Sequence, residues 1–225
     1  MSELFSIQLQ NRQQQGRDGV WLDLPTTTEQ VQAALRQIGI SSDNPQGLFI
    51  SGYFAEEEKR FAIPYNMVLA SNVDELNFLA SRLETLSTGE RAELNAALQA
   101  PQSELFSIGR ITDFPENVDY YVHLPDVRGP AQLGDYYLNR SGMVDMPEEW
   151  KGGIDTAQFG RYVAQQEQGV FTEYGYLVKS GDEWQKVYEG QPVPEEYRVL
   201  SFPASEILRD AANIPPPVQS TTEQQ

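Results

Sequence analysis

The sequence predicts an α+β protein, and two changes in hydrophobic periodicity are the main evidence. Residues Ser2–Asn11 and Val20–Leu24 alternate apolar and polar positions, which is typical of half-buried strands. From Ser71 the apolar residues recur at helical spacing, and after Val178 the pattern returns to short strand-like runs. We therefore expect an elongated chain of small mixed units. These are an N-terminal β/α unit (1–64), a helical hairpin (65–102), a C-terminal mixed α/β unit (103–178) and an extension with a proline-rich tail (179–225).

The N-terminal unit is predicted to hold three strands and one helix. The first two strand-like runs are separated by a polar loop with two glycines, so we expect them to pair antiparallel. A helix is predicted within Leu24–Ile40, since a threonine run that can cap it precedes apolar residues at helical spacing. Gly47–Phe54 is predicted to be the third strand. The charge run Glu56–Lys59 is interpreted as a solvated turn.

The middle of the chain is predicted to form two short helices. Ser71 or Asn72 can cap the first, and Thr88 can cap the second, which Pro101 ends. Leu105–Thr112 is predicted to be a strand or an irregular crossing. The string SELFSI occurs at Ser2 and again at Ser103, and we interpret the identity as coincidence or as two equivalent edge strands.

The last third mixes strands and helices. Tyr120–Leu124 is predicted to be a strand, the following RGPAQLG a loop, and Leu133–Gly142 a short helical segment. Gly152–Gln166 is predicted to be one amphipathic helix, and Gly169–Val178 a strand. Lys179–Phe202 is predicted to contain two further strands. A capped helix (Ser205–Ala212) and a disordered proline-rich tail are predicted to follow.

The charge of the chain is its most unusual property. Acidic residues number 33 and basic residues 16, giving a net charge of −17, and the excess runs along the whole sequence. Such a protein repels nucleic acid and anionic membranes and attracts basic surfaces, although solubility or a high-salt habitat would also explain it. No signal peptide and no apolar run long enough for a membrane span is visible, so we expect a soluble cytoplasmic protein.

Few residues suggest a reaction. Cysteine is absent, which excludes disulfides, thiolate metal sites and cysteine nucleophiles. The single histidine, His123, lies in a predicted strand and is interpreted as structural. Neither a phosphate-binding glycine loop nor a basic patch is present, and no cofactor or metal is expected. One acidic group could do acid–base work or bind a divalent ion, although such groups are usually solvated turns: Asp113, Glu116, Asp119 and Asp126.

An ordered series of motifs resembles one known family. GDYYL with a following SG, then VDMPEEW, IDTAQFGR and GVF occur in sequence between Leu133 and Val178. Upstream, VWLDLP precedes a helix, and a leucine-rich pair of helices covers Val73–Leu98. This series resembles the ArdA family of antirestriction proteins over roughly Val20–Val178. The segment after Val178 has no assigned counterpart there.

The resemblance implies a function without catalysis. ArdA-like proteins are encoded on conjugative elements and inhibit type I restriction–modification enzymes. They act as elongated dimers whose surface carboxylates imitate DNA phosphates. The resemblance therefore implies a homodimer that contacts the DNA-binding channel of such an enzyme and contacts neither nucleic acid nor membrane. Arg161 is interpreted as a member of a structural ion pair, or else as a dimer contact.

The predicted phosphate-like carboxylates cover most of the family segment, and single removals are expected to have little effect. Two alternatives stay open: an acidic adaptor or anti-defence protein for another basic partner, and an enzyme using the carboxylates between Asp113 and Asp126. The predicted array is Asp74, Glu75, Glu84, Glu90, Glu93, Asp113, Glu116, Asp119, Asp126, Asp135, Asp145, Glu148, Glu149 and Asp155.

Overall fold

Two antiparallel three-stranded sheets and eight α-helices make up the part of the chain that the computed structural model describes. That part is residues 4–14, 18–41, 46–56, 61–101 and 103–200. The predicted α+β class is confirmed. The strands are β1 (Phe5–Asn11), β2 (Val20–Leu24), β3 (Leu48–Phe54), β4 (Tyr121–Leu124), β5 (Val170–Thr172) and β6 (Gly175–Lys179). The helices are α1 (Thr28–Gln37), α2 (Tyr65–Leu69), α3 (Val73–Glu84), α4 (Thr88–Gln99), α5 (Ile108–Thr112), α6 (Pro130–Asp135), α7 (Glu148–Lys151) and α8 (Thr156–Glu167).

The first sheet has the strand order β2–β1–β3 and confirms the three predicted N-terminal strands. Phe5 pairs with Leu24, and the odd-numbered residues of β1 are buried because alternate side chains of a strand face the same side. The predicted turn at Glu56–Lys59 lies mostly outside the described residues. This sheet packs into the main core of the molecule.

Side chains cap the helices that follow, largely as predicted. Thr27 caps α1 and Asn72 caps α3, each in a capping box with the residue three positions later. For α4 the predicted cap, Thr88, is wrong by one residue. The cap is Ser87, whose backbone is extended and whose hydroxyl accepts a hydrogen bond from the N–H of Glu90.

One main core joins the first two predicted units and part of the third. Buried side chains from β1, α3, α4 and β6 belong to the same hydrophobic cluster. Helix α3 packs mainly against α5 and β2, whereas α4 packs against β6. The predicted unit boundaries at residues 64, 102 and 178 do not separate independent hydrophobic cores. They therefore stay predictions.

Two local predictions in the middle of the chain are wrong. Leu105–Thr112 is not a strand, because its second half forms α5, capped by the hydroxyl of Ser107. Ile108 and Ile111 are both buried in this helix, and their spacing of three is helical rather than strand-like. The predicted loop before Leu133 is also partly wrong, since α6 begins at Pro130.

A second, smaller core lies within residues 127–176. Helix α6 continues into a π-helical turn (Tyr136–Arg140), and α8 begins at Thr156, later than predicted. The predicted strand Gly169–Val178 is instead a hairpin of β5 and β6, which completes a sheet of order β4–β6–β5. The small core consists of Val127, Leu133, Ala164 and Tyr176.

Residues 180–200, which we name the C-terminal strap, contain no strand, so the prediction of two strands is wrong for this described stretch. The strap has one 3-10 turn (Glu195–Tyr197) and ends with buried Val199 and Leu200 in the main core. Several of its N–H groups bond to side chains of the main body instead of to a strand. The predicted helix Ser205–Ala212 and the tail lie outside the described residues.

Candidate acidic binding surface

Asp113 is buried and cannot belong to a surface array. Its side chain has 0% relative exposure. Oδ1 accepts a hydrogen bond of 2.6 Å from the N–H of Tyr188, and Oδ2 accepts bonds of 3.3 Å from those of Val187 and Glu189. The carboxylate thus replaces the hydrogen-bond partners that a strand would have given the strap. The prediction that Asp113 imitates a phosphate is wrong for this reason.

Asp74 makes a related contact at the other end of the strap. Its Oδ1 accepts hydrogen bonds from the N–H groups of Val199 (2.7 Å) and Leu200 (2.8 Å). Burial raises the pKa of Asp74 above its ordinary value, and these two hydrogen bonds oppose the rise. Since this side chain points at the protein's own backbone, it is a weak candidate for contacts with a partner.

Two buried asparagines support the same segment and were missed by sequence reasoning. The amide of Asn77 accepts from the N–H of Thr26 and donates to the carbonyl of Tyr197. Asn117 donates to and accepts from the backbone of Gln185. A signal for the first was available, because Asn77 interrupts the run of apolar residues on the inner face of α3.

Glu93 is a half-buried acid with an unusual environment. Its Oε1 is shielded from solvent and has no hydrogen-bond partner among the described residues. Burial raises the pKa of Glu93 to about 8, and the carboxylates of Glu90 and Asp119 add to the rise. Glu93 therefore holds its proton to higher pH than an exposed glutamate does.

Three predicted array members lie at helix N-termini. Glu75 and Glu90 accept hydrogen bonds from the backbone N–H groups of Asn72 and Ser87, and Asp155 accepts one from Gln158. The hydrogen bonds with Ser87 lower the pKa of Glu90. Negative charge at these positions is favourable because helix N-termini carry positive partial charge.

Other predicted members form ion pairs. Glu116 pairs with Arg82, Asp135 with Arg140 at 3.3 Å, and Glu148 with Lys151 at 2.9 Å. Glu84 is half-buried in α3.

Five members of the predicted array are exposed and form no ion pair within the described residues: Asp119, Asp126, Asp145, Glu149 and Asp155. Asp145 and Glu149 belong to residues 143–155, which we name the α7 segment and which also contains Glu148 and Asp155. This segment exposes Met143 and Trp150 as well, so it presents both acids and large apolar side chains to solvent. The structure thus brings four predicted array members into one short exposed stretch.

Arg161 lies near this segment on α8. It is exposed, and no described residue forms the structural ion pair predicted for it. The neighbouring Gly160 has the clearer structural role: an added Cβ there would lie 1.8 Å from the carbonyl oxygen of Pro130 in α6. The same crossing requires Gly134, whose Cβ would lie 1.9 Å from the carbonyl oxygen of Thr156. Glycines in the GDYYL and QFGR motifs therefore let two helix backbones touch.

Catalytic arrangements have little support within the described residues. Asp113 is buried, whereas Glu116, Asp119 and Asp126 are exposed, so these four do not share a site. No group of three or more acidic or histidine side chains in the described ranges is placed to hold a metal ion. His123 has its Nε2 2.9 Å from the carbonyl oxygen of Tyr174, and burial lowers its pKa. No helix in the described part is long and apolar enough to cross a bilayer.

The described residues thus define an acidic α+β protein with exposed carboxylates and no side-chain group placed to hold a metal ion. Comparison with protein families identifies residues 15–178 as an ArdA domain, described as antirestriction protein. This match covers most of the chain, so the protein belongs to the ArdA family of antirestriction proteins, as its motifs predicted. Comparison with curated proteins finds no match. The family assignment implies restriction enzymes as targets.

Proposed function

We propose that this protein inhibits type I restriction–modification enzymes by occupying their DNA-binding channel as a DNA mimic. A DNA duplex carries one negative charge per roughly 1.7 Å of axis, so a channel that binds it is strongly basic. Carboxylates on a rigid surface can fill the channel and offer no bond to cleave or methylate. The observation that carries the proposal is the set of exposed acids without ion pairs, particularly on the α7 segment.

Burial and bonding divide the predicted array into stronger and weaker candidates. Asp113 is removed from it, while Asp74 and Glu93 are the weakest members because both are partly buried. The ion-paired acids keep an oxygen for a partner, but part of their charge is already compensated. The members we propose to contact the enzyme are Glu75, Glu84, Glu90, Glu116, Asp119, Asp126, Asp135, Asp145, Glu148, Glu149 and Asp155.

We further propose that the protein acts as a homodimer and catalyses no reaction. Met143, Trp150 and Tyr162 expose large apolar surfaces, and Arg161 lies nearby with no ion pair in the described part. A second copy would cover these apolar side chains and supply an acid for Arg161. Since the target acts on DNA inside the cell, the proposal also places the protein in the cytoplasm.

The test is inhibition of a purified type I enzyme acting on unmodified DNA. We expect the protein to block the enzyme, to compete with duplex DNA for the methyltransferase, and to lose affinity steeply as salt rises. Failure to inhibit any type I enzyme tried would contradict the proposal. Salt-sensitive binding to another basic protein, without competition by DNA, would favour the acidic adaptor instead.

A further inference from the structure

A groove of about 730 Å³ lies beside the edge strand β3, away from the α7 segment in sequence. It is bounded by the end of β3, the C-terminal end of α4 and the turn between β5 and β6. Five of its ten described lining residues are aromatic, and three of those are tyrosines with polar hydroxyls. We name it the aromatic groove and define it by Tyr53, Phe54, Phe61, Tyr65, Glu173 and Tyr174.

Two rings stand at the rim of the groove and are open to solvent. Phe54 is 58% exposed and Tyr65 is 51% exposed. Both are held in place: the hydroxyl of Tyr65 donates to the carbonyl of Ser51 at 3.2 Å, and Phe54 contacts Trp21 edge-to-face with ring centroids 6.5 Å apart. Exposed apolar side chains indicate an interaction site when they are grouped, and these two rings line the same groove.

Glu173 is the one carboxylate among the described lining residues, and no lysine or arginine lines the groove there. Gln99 donates to its Oε1, which orients the side chain and leaves Oε2 for another donor. Arg128 donates to the main-chain oxygen of Glu173 rather than to the carboxylate. The groove therefore combines π faces with a positioned negative charge.

We propose that the aromatic groove binds an arginine side chain of the protein's partner, with the guanidinium over the rings and bonded to Glu173. This inference rests on the proposed function, since that function supplies a basic partner. A guanidinium fits better than an ammonium because it is planar, stacks on aromatic faces and bonds a carboxylate through parallel N–H groups. A chain with net charge −17 adds long-range attraction for the same ligand.

The groove would fix one relative position of the two proteins in the complex, which dispersed acids cannot do. Exposed carboxylates attract a basic channel and speed association, but they tolerate many relative positions. One arginine in a pocket fixes a single register, and arginine is among the residues that dominate interface energetics. The groove is therefore a candidate specificity determinant among different restriction enzymes.

The test uses a blocked Gly-Arg-Gly peptide and its citrulline analogue, which has nearly the same shape and no charge. Titration followed by NMR should show amide shifts around Glu173 and Tyr174 with the arginine peptide only. Glu173→Gln and Tyr65→Leu should each weaken binding at least fivefold. Glu183→Gln and Phe106→Leu, which change an exposed acid and an exposed phenylalanine elsewhere, should leave binding unchanged.

Equal binding of the citrulline peptide, or shifts spread over the surface, would overturn the inference. Lys59 and Arg60 lie outside the described residues, next to Phe61 in sequence. Tighter peptide binding by a Lys59→Gln, Arg60→Gln variant would show that the chain's own cation fills the groove, which also overturns it. Inhibition of the restriction enzyme without peptide binding would reject this inference and keep the proposed function. Peptide binding without inhibition of the restriction enzyme would keep the arginine-binding groove and reject the proposed function.

Discussion

Two pairs of predicted array members, one in the main body (the elements around the main core) and one in the α6–α8 region, have opposite environments. In the main body, Asp74 and Asp113 turn inward and bond to the backbone of the C-terminal strap. In the α6–α8 region the core is small, two helices touch through glycines, and Asp145 and Glu149 face solvent. The contrast shows that acid content alone does not locate a binding surface. Burial and hydrogen bonding separate the acids that hold the fold from those free to meet a partner.

Asp113→Ala should produce the largest loss of stability. It removes the acceptor for three partly buried N–H groups of the strap and leaves a cavity where the buried carboxylate was. We expect a loss of about 4 kcal/mol in the free energy of unfolding, measured with urea. Asp119→Asn, at an exposed acid nearby in sequence, should stay within about 0.5 kcal/mol of the parent protein. Similar losses in the free energy of unfolding for both variants would contradict the distinction between buried acids that stabilise the fold and exposed acids that do not.

Gly160→Ala should be the next most damaging change, and it probes the α6–α8 region. The added methyl group would meet the carbonyl oxygen of Pro130, so the two helices must separate. We expect a loss of about 3 kcal/mol by chemical denaturation. The matched control is Gly152→Ala, where the new Cβ would lie 4.0 Å from its nearest described neighbour, the carbonyl oxygen of Glu149. Equal stability of the two variants would reject the close helix crossing.

Because of Glu93, the free energy of unfolding should fall as the pH rises from about 4.5 to about 8. Its pKa rises from 4.5 to about 8 on folding, so the folded state holds a proton that the unfolded state releases. Stability from this group is complete below about pH 4.5 and falls as pH rises toward 8. Glu93→Gln should flatten that part of the profile, measured by urea unfolding between pH 5 and 9. An unchanged slope would show that Glu93 ionises normally.

Removal of a single exposed charge should have the smallest effect. Glu149→Gln is expected to change the free energy of unfolding by less than about 0.5 kcal/mol. Because one exposed charge contributes little in water, inhibition should weaken by no more than about threefold. A complete loss of inhibition would point to a single hot spot and would contradict a distributed array. Thermal unfolding and a cleavage assay, run on the same preparation, would give both numbers.

Local signals predicted most of the first 100 residues. Alternation in β1 and capping residues before α1 and α3 are read directly from neighbours in sequence. The strap was mispredicted because its hydrogen bonds go to Asp74 and Asp113, which lie 74 or more positions away. For the candidate surface, the sequence supplied the acids but not their burial. Asp113 and Asp119 look alike in sequence, yet one is buried and the other exposed.

The most direct test compares two triple variants with the same change in net charge. One is Asp126→Asn, Asp145→Asn, Glu149→Gln, and the other is Glu183→Gln, Glu195→Gln, Glu196→Gln in the strap; all six acids are exposed. Dissociation constants for a type I methyltransferase would be measured at several salt concentrations. We expect the first variant to bind at least about tenfold more weakly with a shallower salt dependence, and the second to stay near the parent value. Equal weakening of both would mean that only total charge matters, and it would contradict a positioned acidic surface.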